Sequence, residues 1–373
     1  MSPNSRNWFR PIKGPQGAQP PASRAPGTIA ASLPNLPPSG PPAAAAAAEN
    51  AGETAPATRE LTPAEQALYT TLVETVNEQC DFMMRAAPPG SENTDGPTIL
   101  KELRQLGDTV IRQPPAAAQR ALAAARDSVS NATQVADIFA QDPALTRALL
   151  QAANSSFYHR GSESCLAIPE AIQWVGMRGV ESIVTTNMVE GLLCRPGGAY
   201  NQLVGEVWSH MTRTAPIARA LAPAFGAAPE TAFTVGLLHD MGKLIVFHYL
   251  SQLRSSQRRE VLVPDRFLFN MLNWLHEPLG GIAALRWNLG VPAARAIAYH
   301  HQPADGPPDP LGELLCVSER ADHAIRLHAE LDPQLLWRQN CLRTDLDNVR
   351  LLLNQVPGIR LADDSTGTGA RAA

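Results

Sequence analysis

Lysine is almost missing from this chain: only Lys13, Lys101 and Lys243 stand among its 31 basic residues. In a sequence so biased towards arginine, the lysine inside GLLHDMGKL (236–244) invites a role of its own. Basic residues do not outnumber acidic ones either, 31 against 35 for a net charge of -4. That balance gives no global electrostatic basis for binding nucleic acid or an anionic membrane. The five cysteines, Cys80, Cys165, Cys194, Cys316 and Cys341, are odd in number and show no CxxC spacing. This argues against a disulfide framework and a zinc–thiolate site, leaving reduced, partly buried thiols. The opening residues MSPNSRNWFRPIKGPQG have no apolar core of a secretory signal, and no apolar run reaches bilayer length. The expectation is a cytoplasmic protein without a membrane span. Sustained strand alternation is also absent, so the fold class is all-α.

Residues 1–58 are rich in Pro, Ala, Gly and Ser and carry almost no aliphatic periodicity. Such a segment buries too little surface to offset its ordering entropy, and a disordered tail is expected. Order begins at Thr62-Pro63-Ala64-Glu65, a capping box with proline at the first helical position. Leu68, Leu72, Val76 and Cys80 follow at a spacing of four. Residues 59–110 therefore read as a helical N-terminal extension. Beyond Pro114-Pro115 the pattern is helical almost throughout. Asp142-Pro143 caps one helix and Pro169 opens another, and further helices are expected near 200–222, 231–250, 266–275, 278–289, 292–301, 311–329 and 344–355.

The ionisable residues inside these apolar helices are the informative ones. Helical phase places His210 with Val207, Met211 and Ile217, on the stripe that faces the core. In GLLHDMGKLIVFHYL, His239, Asp240 and Lys243 share one arc, while Leu237, Leu238, Met241, Leu244 and Ile245 fill the opposite side. His276 precedes Pro278, and His300 and His301 close the next helix. Burying such groups singly is costly, so each needs a partner. A hydrogen-bonded core is one solution. Neutral imidazoles with a carboxylate, holding a divalent transition metal, are the other.

The order of these motifs resembles the HD superfamily, and more closely its HDOD branch, the HD-related output domain of bacterial signalling proteins. QDPALTRALLQAANSSFY, IPEAIQWVGMRGVESIV, EVWSHM, GLLHDMGKL, HEPLGGIAALRW and AIAYHHQP carry the resemblance over residues 111–331. A C-terminal helical segment, 332–362, and a disordered tail, 363–373, complete the expected layout. The resemblance implies a helical regulatory module with no enzymatic activity generally assigned to it. It also implies that His210, His239, Asp240, His276, His300 and His301 fall where catalytic HD enzymes place metal ligands. Either Glu319 or Asp322 fills the late acidic position: helical phase favours Asp322, and the surrounding hydrophobic order favours Glu319. Related HD-GYP phosphodiesterases carry a Gly-Tyr-Pro signature after the paired histidines, whereas this chain reads HHQPADGPPDP.

Two functions follow as expectations. The first is a signal-transduction module acting through protein partners and holding one or two divalent ions (Mn, Fe or Zn). The second is a metal-dependent phosphohydrolase acting on a nucleotide or phosphoester. In that case Lys243 counters phosphate charge and His300 assists the leaving group.

Overall fold

The computed structural model describes residues 60–87, 93–106, 110–127, 132–159, 164–194, 200–257, 261–303, 308–339 and 341–362. The tails expected at 1–58 and 363–373 lie outside the described residues. Those residues form helices joined by short connections, with a single parallel bridge between Leu331 and Leu361 and no strand among them.

The first helix, α1 (Pro63–Arg85), starts as its sequence requires. The Thr62 hydroxyl accepts the Glu65 N–H at 3.3 Å, and the Glu65 carboxylate accepts the Thr62 N–H at 2.9 Å. Its buried stripe, Leu72, Val76, Cys80 and Met83, is the face presented to the rest of the domain. The small helices α2 (Gly96–Gln105), α3 (Ala116–Arg126), α4 (Ala132–Ala140) and α5 (Pro143–Ala153) follow, with Asp142 capping α5 as expected. The helix opened by Pro169 is not one rod. In α6 (Ile168–Leu193), Gly176 adopts φ 72°, ψ 163°, a conformation open essentially only to glycine, and the helix bends there.

The centre is built by α7 (Asn201–Leu221), α8 (Pro229–Leu238), α9 (Met241–Gln257), α10 (Asp265–Arg286), α11 (Val291–Ala298) and α12 (Pro310–Leu327). α8 packs on α6, α7 and α12, α9 on α10, and α12 on α7, α8 and α11. α1 lies across α10 and α11. Two short helices, α13 (Pro333–Arg338) and α14 (Leu346–Leu353), close the described chain. No helix among the described residues is long and apolar enough to cross a membrane.

Three boundaries differ from the sequence reading. The helix expected over 231–250 is two, α8 and α9, parted at His239–Asp240. Residues 234–250 are buried without a gap, so there is no mixed face; burial on all sides erases the period from which a helix end is read. Conversely, the helices expected at 266–275 and 278–289 are one, α10, with Pro278 inside it. Proline usually ends a helix, but Leu275, His276 and Leu279 are buried on both sides of it, and packing holds the rod through the missing N–H. Finally, α11 stops at Ala298, so His300 and His301 sit in the turn after it.

Candidate metal centre

His239 and His300 are oriented by the same local device. Each follows the last residues of a helix, and each ring folds back so that Nδ1 meets the carbonyl three residues earlier. His239 Nδ1 lies 2.8 Å from Gly236 O, and His300 Nδ1 lies 2.8 Å from Ile297 O. A carbonyl only accepts, so Nδ1 carries the proton in both rings and Nε2 presents a lone pair. Burial lowers the His239 pKa to about 3 and that of His300 below its usual range, which keeps both rings neutral.

His210 is oriented from behind. Its Nδ1 is 2.7 Å from Asp322 Oδ2, and the Arg213 guanidinium donates to the same carboxylate at 2.8 and 3.2 Å. Burial alone would raise the Asp322 pKa, but these two partners bring it down to about 2. The carboxylate therefore accepts, His210 Nδ1 donates, and His210 Nε2 faces inward. It meets His239 Nε2 at 3.1 Å. The two rings, each tied down at Nδ1, thus bring their Nε2 atoms together, an arrangement that suits a shared cation.

Asp240 sits between two such foci. Its Oδ2 accepts from Lys243 Nζ at 2.7 Å and lies 3.6 Å from His239 Nε2 and 3.8 Å from His210 Nε2. Its Oδ1 lies 3.7 Å from His276 Nε2. Burial opposes the charge, yet Lys243 and the surrounding histidines hold this carboxyl well below the usual range. Around the second focus, His276 Nε2 and His301 Nε2 are 3.0 Å apart. Burial, reinforced by Lys243, pushes the His276 pKa down. Glu319 completes the first focus: ligand atoms of His210, His239 and Glu319 lie within 4.8 Å of one another, as do those of His276, His300 and His301. Burial would raise the Glu319 carboxyl, but His301, His323, His300 and His239 hold it well below its ordinary value.

The donor set fits one or two divalent ions. Asp240 Oδ1, His276 Nδ1, His300 Nε2 and Glu319 Oε2 are buried without a hydrogen-bond partner, and each such atom costs about 1–3 kcal/mol. Imidazole nitrogens with two carboxylates suit zinc, iron or manganese. All six residues expected as ligands from the motifs converge here. Of the two acidic alternatives, Glu319 lies within the cluster, whereas Asp322 stands behind His210. Lys243 is buried and paired with Asp240. His301, with its side chain 32 % exposed, is the donor that reaches solvent; Glu277 accepts its backbone N–H at 3.1 Å.

Sequence reasoning missed the supporting layer. Arg213 lies one turn beyond His210, and His323 one turn beyond Glu319, where its ring stacks on His210 at 5.2 Å. Burial lowers the His323 pKa to about 4. The i, i+3 and i, i+4 spacings from His210 and Glu319 were the available signal. Gly242 serves the site by close approach: a Cβ there would lie 2.0 Å from the His276 carbonyl oxygen, so glycine lets α9 and α10 meet at the histidine.

Comparison with known proteins identifies the family and the fold. The family model of the HDOD domain matches residues 111–303, more than half of the chain. The match ends before α12, which carries Glu319. A curated protein of Treponema pallidum (strain Nichols), named only as uncharacterized, is 30% identical over 177 residues, 45% of this chain and 34% of its own. The chain thus spans about a third of that relative's length. Among solved structures, a candidate phosphohydrolase from Shewanella amazonensis SB2B has a TM-score of 0.52 at 20% identity, covering 70% of this chain and 94% of its own. An HDOD domain protein of unknown function from Geobacter sulfurreducens has a TM-score of 0.50 at 23% identity, covering 69% and 92%. At these identities the two structures share the fold.

Proposed function

The chain belongs to the HDOD family, and from that premise we propose that it is a cytoplasmic signal-transduction module whose central helices are tied together by one or two divalent ions and whose output is read by a protein partner. The ligands are His210, His239, Asp240, His276, His300, His301 and Glu319. Enclosure carries this reading: His210, His239, Asp240, His276, His300 and Glu319 are each at most 4% exposed, and only His301 opens to solvent. A closed site fits an ion that fastens helices better than one that must admit a substrate. Lys243, the one cation expected to meet a phosphate, is instead spent on Asp240.

The second reading, a phosphohydrolase acting on a nucleotide or phosphoester, is favoured by the completeness of the donor set and by the opening at His301. A bound divalent ion supplies Lewis acidity to a phosphoryl oxygen and to water. Around it, Lys243 keeps Asp240 ionised, Asp322 and Arg213 hold the His210 ring, and Glu277 fixes the backbone of His301. In this reading His300 cannot serve as a mobile proton donor at Nδ1, which is held by Ile297.

Elemental analysis of the chain purified without chelator tests the first reading, together with assays on bis-p-nitrophenyl phosphate and nucleotides. Bound transition metal that Asp240→Asn loses, with no turnover by the loaded protein, is the expected result. Metal-dependent turnover abolished in Asp240→Asn would make the protein an enzyme, and a wild type that stays metal-free after soaking would remove both readings.

A further inference from the structure

Behind the metal centre the fold brings together two thiols that the sequence leaves apart. Cys316 lies on α12 and is 0% exposed; Cys341 lies on the irregular stretch between α13 and α14 and is 1% exposed. Each sulfur approaches the same acceptor, the His301 carbonyl oxygen, at 3.9 Å, which brings the two thiols together at one point. Arg320, one turn beyond Cys316 on α12, acts electrostatically on both sulfurs. The stretch that carries Cys341 is strapped to α12 by a second contact one turn earlier. The Glu313 carboxylate accepts from the Arg343 N–H at 2.9 Å, the Thr344 N–H at 2.8 Å and the Thr344 hydroxyl at 2.7 Å. One turn of α12 therefore grips the strap with a carboxylate at one end and a thiol at the other. The other cysteines sit on other elements: Cys80 in α1, Cys165 ahead of α6 and Cys194 at its end.

We propose that Cys316 and Cys341 are a redox-active dithiol that closes to a disulfide on reaction with a hydroperoxide, making the strap between α13 and α14 a covalent attachment to α12. In the first step one sulfur, as thiolate, attacks a peroxide oxygen. The O–O bond breaks, the departing hydroxide takes up a proton as water, and a sulfenic acid remains. In the second step the other sulfur attacks the first, the S–O bond breaks, and the hydroxide leaves as water with the second thiol's proton. Two thiols are oxidised by two electrons in all, and hydrogen peroxide is reduced to two waters. Arg320 stabilises the anionic sulfur in both steps. Because Cys341 sits on an irregular segment, peroxide gains access when that segment opens locally, without unfolding the helices. The proposal stands apart from the metal reading, since neither sulfur is among the site's ligands.

The test is peroxide treatment of the full chain in the presence of chelator, so that no bound ion takes part, followed by non-reducing peptide mapping and thermal unfolding. The expected result is one cross-linked peptide joining Cys316 to Cys341, about 2 Da lighter than the two thiol peptides. A melting temperature raised by several degrees should accompany it and return to its starting value with dithiothreitol. In Cys341→Ser the rise should vanish. Oxidation of either cysteine only to sulfinic or sulfonic acid, a cross-link to Cys80, Cys165 or Cys194, or failure of both thiols to react would overturn the proposal. So would a melting rise that persists in Cys341→Ser.

Discussion

Helix α1 and the α8–α9 pair are both made of apolar residues interrupted by polar ones, but they are held in place by opposite means. α1 is amphipathic: Leu72, Val76 and Cys80 are buried on the face that packs against α10, α2 and α11, while Thr70 and Thr71 stay exposed. Its start is closed by its own side chains. The α8–α9 pair is buried on every side from residue 234 to 250, and its junction is made of ionisable groups whose partners come from α7, α10, α12 and the turn after α11. α1 is thus a local structure that docks, whereas the His239–Asp240 junction exists only where other helices supply its contacts. Damage at the junction should therefore be global, and damage at α1 confined and modest.

The largest effect is expected from Gly242→Ala. A Cβ at that position meets the His276 carbonyl oxygen at 2.0 Å, and backbone cannot step aside as a side-chain tip would. α9 and α10 must separate, costing several kcal/mol, a large part of the total stability of a typical domain. Circular dichroism and thermal unfolding check this. A variant that melts within a degree or two of wild type would show that the two helices are not held at this distance.

Asp240→Asn should come next. In metal-free protein it leaves the Lys243 ammonium buried, 7% exposed, without its carboxylate, at a cost of about 3–5 kcal/mol. The double variant Asp240→Asn, Lys243→Met should recover much of that loss while remaining unable to retain metal. Chemical denaturation of the single and double variants measures the difference, and no recovery would show that Lys243 is not what the charge of Asp240 balances.

Much of α1 and of the site was readable in advance, for the same reason in both cases: the information is local. The capping box, the stripe at a spacing of four and the order of His210, His239, Asp240, His276, His300 and His301 need no knowledge of neighbours. What was not readable is contact across helices. Glu319 and Asp322 are three residues apart and project within about 60° of each other on a helix, so helical phase, which favoured Asp322, and hydrophobic order, which favoured Glu319, pointed different ways. The packing of α12 on α7 and α8 separates them, turning Glu319 to the His239 side and Asp322 to the back of His210. The break at His239–Asp240 and the continuity of α10 through Pro278 were hidden likewise, because burial on all sides removes the period and packing overrides the proline. The meeting of Cys316 and Cys341 depends on where the chain returns after α13, about which spacing says nothing.

Acid should distinguish the two regions further. His239 and His323 have pKa values lowered to about 3 and about 4, and those of His276 and His300 are lowered as well. The unfolded chain binds protons at these rings below about pH 6.5, while the folded chain does not. Their contribution is therefore complete above that pH and is lost as pH falls, by about 2 kcal/mol at pH 5 for each ring that stays neutral. Asp322, with a pKa of about 2, adds a second loss as pH falls through the ordinary carboxylate range. Thermal melts of chelated protein from pH 8 to pH 3 should show stability declining from near pH 6.5, with the Asp322 loss added as pH falls below about 4. A flat profile between pH 8 and pH 5 would contradict the neutral, buried histidines described for this site.

The smallest effect tests the other side of the comparison. Thr62→Ala removes the hydroxyl that accepts the Glu65 N–H and donates to the Glu65 carboxylate. Loss of a threonine cap costs about 1 kcal/mol. The stripe of Leu72, Val76, Cys80 and Met83 begins beyond the first two turns, so α1 should fray at its start and stay docked on α10. Hydrogen exchange should quicken at the first turns of α1 and remain unchanged at α9 and α10. Metal content should not move, because the Thr62–Glu65 capping box lies on α1, which carries none of the site's ligands. A loss of bound metal in Thr62→Ala would mean that α1 is not a separately capped element but part of what holds the α8–α9 junction in place.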